Sequence, residues 1–187
     1  MNISPTLLKD CIGGDRKAQY LLYKSCFQVL MGVCMRYRRE ESEAAAILNV
    51  GFLKILNNLD RYRADAPFEA WIKRIMINTL IDDFRKNRKV KELIEYTDFS
   101  ELEYSDHTFD FNEADKQFDA EQLEALIKML PPMSQKVFNL CAIDGYTHKE
   151  VGERLGISEG TSKWHLSYAR KKLIELMKKE MNSTKVS

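Results

Sequence analysis

Residues 147–173 read Thr-His-Lys-Glu-Val-Gly-Glu-Arg-Leu-Gly-Ile-Ser-Glu-Gly-Thr-Ser-Lys-Trp-His-Leu-Ser-Tyr-Ala-Arg-Lys-Lys-Leu. Thr147 with Glu150 three residues on has the form of a capping box, in which hydroxyl and carboxylate satisfy each other's backbone donors at a helix start. Gly156 then permits the left-handed backbone that ends one helix and redirects the chain. Ile157 pins that turn, and Ser158 caps a last helix from Glu159 to about Met181. At about 100° per residue, Ser162, Leu166, Ala169, Leu173 and Leu176 form one stripe, expected to face the domain's own core. The opposite face shows Gly160, Trp164, Ser167 and Lys171, flanked by Lys163 and Tyr168. A short helix, a glycine turn and a capped second helix with aromatic and basic residues facing outward make a helix-turn-helix.

Working upstream, a helix is expected at Ala120–Leu130, stopped by Pro131-Pro132, and another at Met133–Ile143, followed by an Asp144-Gly145 turn. Residues 89–119 lack sustained periodicity and are rich in Asp, Glu, Ser and Thr, the composition of an extended, mobile linker. The N-terminal part reads as helical throughout. Ser4-Pro5 starts a helix that ends at Gly13-Gly14. Asp15 caps a long helix to about Arg39, with Tyr20, Tyr23, Phe27, Leu30, Met31 and Cys34 at helical spacing. A third helix covers about Ser42 to Leu59. After the polar loop 60–67, a fourth runs from about Pro67 to Asn87. On it, Phe68, Trp71, Ile72 and Ile75 share one side, Ile77, Leu80, Ile81 and Phe84 another. Arg74, Asn78 and Arg85 line up beside Trp71. The expected fold is all-α: one small helical domain over 1–88, an acidic linker over 89–119, and a four-helix domain with a helix-turn-helix over 120–187.

The chain has 187 residues and a net charge of +1, a figure that conceals a division. Residues 1–88 carry +5, residues 89–121 carry −8 and residues 122–187 carry +4. Two basic ends around an acidic middle fit polyanion binding at the ends. No apolar run approaches a membrane span, and Met1–Asp10 lacks the basic start and apolar core of a signal peptide, so a cytoplasmic location is expected. Cys11, Cys26, Cys34 and Cys141 form no C-x-x-C pair and read as reduced, mostly buried thiols. With His107, His148 and His165 they show no metal-ligand spacing, so no metal and no cofactor are expected. No nucleophile–base pairing or phosphate loop supports an enzyme. Asp82-Asp83 reads as a charged pair on a helix surface without partner carboxylates.

Several motifs carry a resemblance. Leu130-Pro-Pro-Met-Ser-Gln-Lys-Val-Phe, residues 144–161 from Asp-Gly-Tyr-Thr to Ser-Glu-Gly-Thr, and Ala169-Arg-Lys-Lys-Leu are similar to the C-terminal DNA-binding domain of the extracytoplasmic-function sigma factors of bacterial RNA polymerase. Asp10-Cys-Ile-Gly-Gly-Asp-Arg-Lys-Ala, Gly51-Phe-Leu-Lys and Phe68-Glu-Ala-Trp-Ile-Lys-Arg-Ile-Met-Ile-Asn-Thr-Leu-Ile-Asp resemble the other domain of that family. The motifs stand in family order across nearly the whole chain. Two matched halves are far more specific than a lone helix-turn-helix.

The resemblance implies a promoter-recognition subunit, not an enzyme. In it the C-terminal helix reads the −35 element as duplex through Lys163, Trp164, Ser167 and Tyr168, with Arg170 and Lys171 suited to phosphates. The −10 element is melted by the N-terminal domain. The loop Tyr62–Ala66, with Tyr62, Arg63 and Ala64, matches a base-capturing loop. Asn78, beside Arg74, matches a residue that helps hold the extruded base. For Phe68 and Trp71, core packing is the stronger expectation. The implied partners are core polymerase, through the β′ clamp helices and the β flap, and promoter DNA, duplex and melted. An anti-sigma factor or a response regulator is the candidate regulator. Docking falls to Ala46, Asn49, Val50, Phe52 and Leu53. Here the chain departs from the family, which usually carries an acidic residue and then Gln-Glu where this chain has Ala46, Asn49 and Val50. A smaller, more apolar docking surface results, which invites a helper protein for core binding. The eleven carboxylates of 89–121 invite a nucleic-acid-mimicking role for the linker, against that of a solvated spacer. The alternative reading is a helix-turn-helix regulator that binds DNA and never enters polymerase.

Overall fold

The computed structural model describes residues 3–91 and 119–184. These belong to two compact units, Met1–Ile94 and Glu95–Ser187. Every regular element among the described residues is helical. The linker expected over 89–119 lies outside the described residues except at its ends.

Four helices build the N-terminal unit: α1 (Pro5–Ile12), α2 (Arg16–Tyr37), α3 (Glu41–Leu56) and α4 (Phe68–Lys91), with a 3₁₀ turn at Leu59–Arg61. Its starts are chemically marked. Ser4 Oγ accepts from the Leu7 N–H at 3.2 Å, and Asp15 Oδ1 from the Ala18 N–H at 2.9 Å. Each satisfies one backbone donor that helix geometry leaves orphaned. α2, α3 and α4 pack on one another around Leu22, Cys26, Leu30, Leu48, Ile55, Ile72 and Met76, all fully buried or nearly so. Gly51 leaves room for the end of the Met76 side chain, since a Cβ there would stand 2.6 Å from Met76 Sδ. Arg38 bridges to Asp83, and Lys54 to Asp82 at 3.0 Å. The aspartate pair therefore ties α4 to its neighbours. Burial pushes the Cys26 and Cys34 thiols up to about 12, so both sit in the core as neutral small hydrophobes.

The C-terminal unit contains α5 (Ala120–Lys128), α6 (Pro132–Phe138), α7 (His148–Leu155) and α8 (Glu159–Thr184). A π turn, Asn139–Ile143, follows α6 where a continuous helix was expected. Asp119 and Gln122 form a reciprocal capping box at α5, at 2.8 and 3.0 Å. α8 is the spine, with α5, α6 and α7 all packing against it. Its buried side chains are Ser162, His165, Leu166, Ala169, Leu173 and Met177. Met177 takes the place expected of Leu176, which is half-buried. Both are apolar, and a stripe stepping by three or four leaves that choice to packing.

Candidate nucleic-acid interface

The helix-turn-helix is built as its caps require. Thr147 Oγ1 accepts from the Glu150 N–H, and Glu150 Oε2 accepts from the Thr147 N–H at 2.9 Å. Gly156 closes α7 at φ 69°, ψ 38°, a left-handed conformation that costs a side-chain-bearing residue energy. The Gly156 and Ile157 N–H groups both donate to the Gly152 carbonyl, at 2.9 and 3.1 Å. Ser158 Oγ then accepts from the Thr161 N–H at 2.9 Å to start α8. Gly152 is a requirement that sequence reasoning missed. A Cβ on it would lie 2.8 Å from the Ile157 carbonyl oxygen, so the turn folds back onto α7 at van der Waals limit.

Around the axis of α8, the buried residues occupy one arc of about 120°. Lys163, Trp164, Ser167, Tyr168, Arg170 and Lys171 occupy the facing arc, and the structure brings all six together. Lys163, Arg170 and Lys171 are exposed, while Trp164, Ser167 and Tyr168 are half-buried. Trp164 stacks on Tyr168 with centroids 5.4 Å apart and an interplanar angle of 19°. It meets His165 edge-on at 4.9 Å. The expected exposed tryptophan is thus the upper face of a ring stack rooted in the core. Lys163 Nζ bridges to Glu159 Oε1 at 2.8 Å, and that hydrogen bond and charge hold the Glu159 carboxyl below its usual range. Such an exposed pair exchanges easily with a phosphate or a base edge.

Two serine–histidine pairs underlie this face, one buried and one part-buried, and neither was legible from spacing. Ser134 Oγ lies 2.9 Å from His165 Nδ1, and Ser162 Oγ lies 3.0 Å from His148 Nδ1. Burial pulls the His165 imidazole down to about 4. His148 is also lowered, by burial first and then by Lys163 and Arg170, with Glu159 opposing.

In the N-terminal unit, the Tyr62 hydroxyl donates to the Ala66 carbonyl at 2.8 Å and closes the loop 62–66. The Tyr62 ring packs on Phe68 at 5.1 Å and on Trp71 at 5.3 Å. Phe68 is buried, while Tyr62 and Trp71 are half-buried, so a cluster of mutually tilted aromatic rings stands at the head of α4. Arg63 and Ala64 are exposed on the loop. Arg74 is exposed and Asn78 half-buried, one and two turns along the same side of α4 as Trp71.

On α3, Ala46 and Asn49 are exposed, Val50 is 50% exposed and Leu53 58%. Phe52 departs from the expectation. It is 7% exposed and meets the Tyr23 ring edge-on at 5.0 Å, so it lies beneath the exposed residues of α3 and not among them. Tyr23 also reaches Asn49 Oδ1 at 3.1 Å. Tyr20 and Leu21, at 60% and 54% exposure on α2, are apolar surface residues that the expected docking set omitted.

Among the described residues, no group of His, Cys, Asp and Glu is placed to hold a metal ion, and no helix is long and apolar enough to cross a membrane.

Comparison with known proteins matches residues 22–90 to Sigma-70 region 2 and residues 120–173 to Sigma-70, region 4. The chain is 24% identical over 149 residues to the ECF RNA polymerase sigma factor SigE of Mycolicibacterium smegmatis, covering 80% of this chain and 57% of that protein. It is 28% identical over 141 residues to the RNA polymerase sigma factor SigZ of Bacillus subtilis, covering 74% of each. To the RNA polymerase sigma-H factor of Pseudomonas aeruginosa it is 23% identical over 163 residues, 84% of each. With sigma-70 regions 2 and 4 matched in order along one chain, and sigma factors aligned over most of its length, this chain belongs to the extracytoplasmic-function family of RNA polymerase sigma factors.

Proposed function

We propose that the protein directs promoter-specific initiation in the cytoplasm by carrying two DNA-reading surfaces into core RNA polymerase. It supplies recognition, and the polymerase supplies the chemistry. The observation that carries this reading is the outward arc of α8, where basic and aromatic residues are held opposite a fully buried face by a capped helix-turn-helix. A helix so presented suits a major groove. Lys163 can reach guanine acceptors, Trp164 a thymine methyl or a sugar, and Arg170 and Lys171 the phosphates. Ser167 and Tyr168 complete the −35 surface.

The aromatic platform of Tyr62 and Trp71, with Asn78 and Arg74 beside it and Arg63 and Ala64 at the rim, suits one unpaired base of the −10 element. A ring stacks on the base, the Asn78 amide offers donor and acceptor to its edge, and arginine meets the backbone. Ala46, Asn49, Val50 and Leu53 present a mostly apolar face for the β′ clamp helices. A docking surface with few charges depends on area and fit more than on ion pairs. The boundaries 1–88, 89–119 and 120–187 describe a docking and melting domain, an acidic connection, and a −35 domain that meets the β flap. Tethering both readers to one polymerase turns two weak contacts into one strong contact through effective concentration. A regulator that never enters polymerase would have no use for a region 2 domain.

Footprinting of the reconstituted holoenzyme on a promoter selected from random sequence tests this. The expected pattern is duplex protection near −35 and permanganate-reactive thymines near −10. Lys163→Ala should relax only the first and Asn78→Ala only the second. Loss of both signals together in either variant would contradict the division of labour.

A further inference from the structure

The two serine–histidine pairs lie beneath the −35 face, and the reading surface does not account for them. Ser162 is wholly buried, Ser134 is 1% exposed and His165 9%. Buried hydroxyl and imidazole groups are tolerated when they bond to each other and are costly otherwise. An apolar core would be simpler, so their placement needs a reason. Ser162 and His165 are three residues apart on α8, about 4.5 Å along its axis. Ser162 is held from α7, by His148, and His165 from α6, by Ser134. Lys163 and Trp164 stand between the two anchors.

The apolar contacts of Leu166, Ala169 and Leu173 are non-directional and tolerate small rotations of a helix in its seat. Hydrogen bonds do not. At a side-chain radius of about 5–6 Å, a 10° rotation of α8 moves a surface group by roughly 1 Å. That displacement would break a 2.9 Å bond and misplace a base contact. Two bonds to two different elements fix both the rotation and the height of the helix. The Trp164 ring rests edge-on against His165, so the second anchor bears directly on a reader.

We propose that His148–Ser162 and Ser134–His165 are positioning pairs that set the rotation of α8, and thereby determine which −35 bases its side chains distinguish. The proposal rests on the reading of α8 as the −35 helix. Burial pulls the His165 imidazole down to about 4 and lowers His148 as well, a direction that favours a neutral bond in each pair. Cys141 Sγ, 3.7 Å from the same His148 nitrogen, adds a weak third contact.

The test uses the full chain reconstituted with core polymerase. The readout is the ratio of transcription from the −35 sequence that wild type selects from a randomised library to that from each single-base variant. Ser162→Ala and Ser134→Ala remove one partner each, and Ser162→Thr restores a hydroxyl. The double variant Ser134→Ala/His165→Leu replaces a whole pair by apolar groups, which preserves folding where a single change does not. The ratio is expected to fall by about tenfold in the alanine and double variants, with core binding unchanged, and to recover in the threonine variant. An unchanged ratio in a folded double variant overturns the proposal and makes the pairs core filling only. No discrimination by the wild-type holoenzyme would instead overturn the reading of α8, and the proposal with it.

Discussion

Gly152→Ala puts the geometry of the helix-turn-helix to a test of sign. Alanine in place of glycine within a helix ordinarily stabilises by about 0.8–1.0 kcal/mol. At this position the new Cβ would lie 2.8 Å from the Ile157 carbonyl oxygen and 3.6 Å from the Glu159 nitrogen. An ordinary carbon–oxygen contact is about 3.3–3.6 Å, so the turn must retreat by roughly 0.5 Å. The obstacle is backbone, not the end of a flexible side chain. Retreat also stretches the bonds from the Gly156 and Ile157 N–H groups to the Gly152 carbonyl. Overpacking of this kind costs about 1–3 kcal/mol. Set against the propensity gain, the net loss is about 1 kcal/mol, or 4–8 °C in Tm for a unit of this size. Gly160→Ala is the internal control. Its Cβ would meet only Ser158 Oγ, at 3.7 Å, and it should stabilise by about 0.5–1 kcal/mol. Urea unfolding of both variants, followed by Trp164 fluorescence in a Trp71→Phe background, reports the C-terminal unit alone. If Gly152→Ala stabilises as much as Gly160→Ala, the close approach of turn and helix is wrong.

Lowering pH should destabilise the C-terminal unit through His165. Its folded value of about 4 lies below the ordinary imidazole value of 6.5, so the unfolded chain takes up the proton first. Stability is full above about pH 6.5, declines as pH falls and levels off near 4, for a loss of roughly 3 kcal/mol. His165→Leu should remove most of the change in urea midpoint across that window, leaving the part due to His148. Tyr62→Phe removes the bond to the Ala66 carbonyl while keeping the ring, and should weaken −10 opening several-fold in permanganate footprinting without changing core affinity. Val50→Asp and Leu53→Asp should weaken core binding in a pull-down while leaving Tm unchanged, whereas Phe52→Ala should cost about 3–5 kcal/mol of stability because it empties part of the core. Arg170→Ala and Lys171→Ala should each lower the salt slope of promoter binding by about one.

Much of this was legible in the sequence because it is governed by neighbours along the chain. The caps at Ser4, Asp15, Thr147 and Ser158, the left-handed Gly156 and the division of α8 into a buried and an outward arc all follow from spacings of one to four residues. What escaped was set by contacts distant in sequence. Phe52 sits between two exposed apolar residues and two buried ones, and only the Tyr23 ring across from it decides its side. Gly152 looks like an ordinary helix glycine until the turn folds back onto it. Ser134 and His165 are 31 residues apart, and nothing local marks either as a partner. The spacing sets Trp164 and Tyr168 on one outward face, but their stack depends on rotamers that spacing permits without requiring.

A role for this chain inside RNA polymerase is tested most directly by run-off transcription with purified core enzyme, the full chain and a template library randomised over the promoter. Transcripts are expected to start only when both proteins are present, from templates enriched at two elements spaced as −35 and −10. Specific DNA binding by the chain alone, with no core-dependent transcript and no retention of the β and β′ subunits, would contradict it.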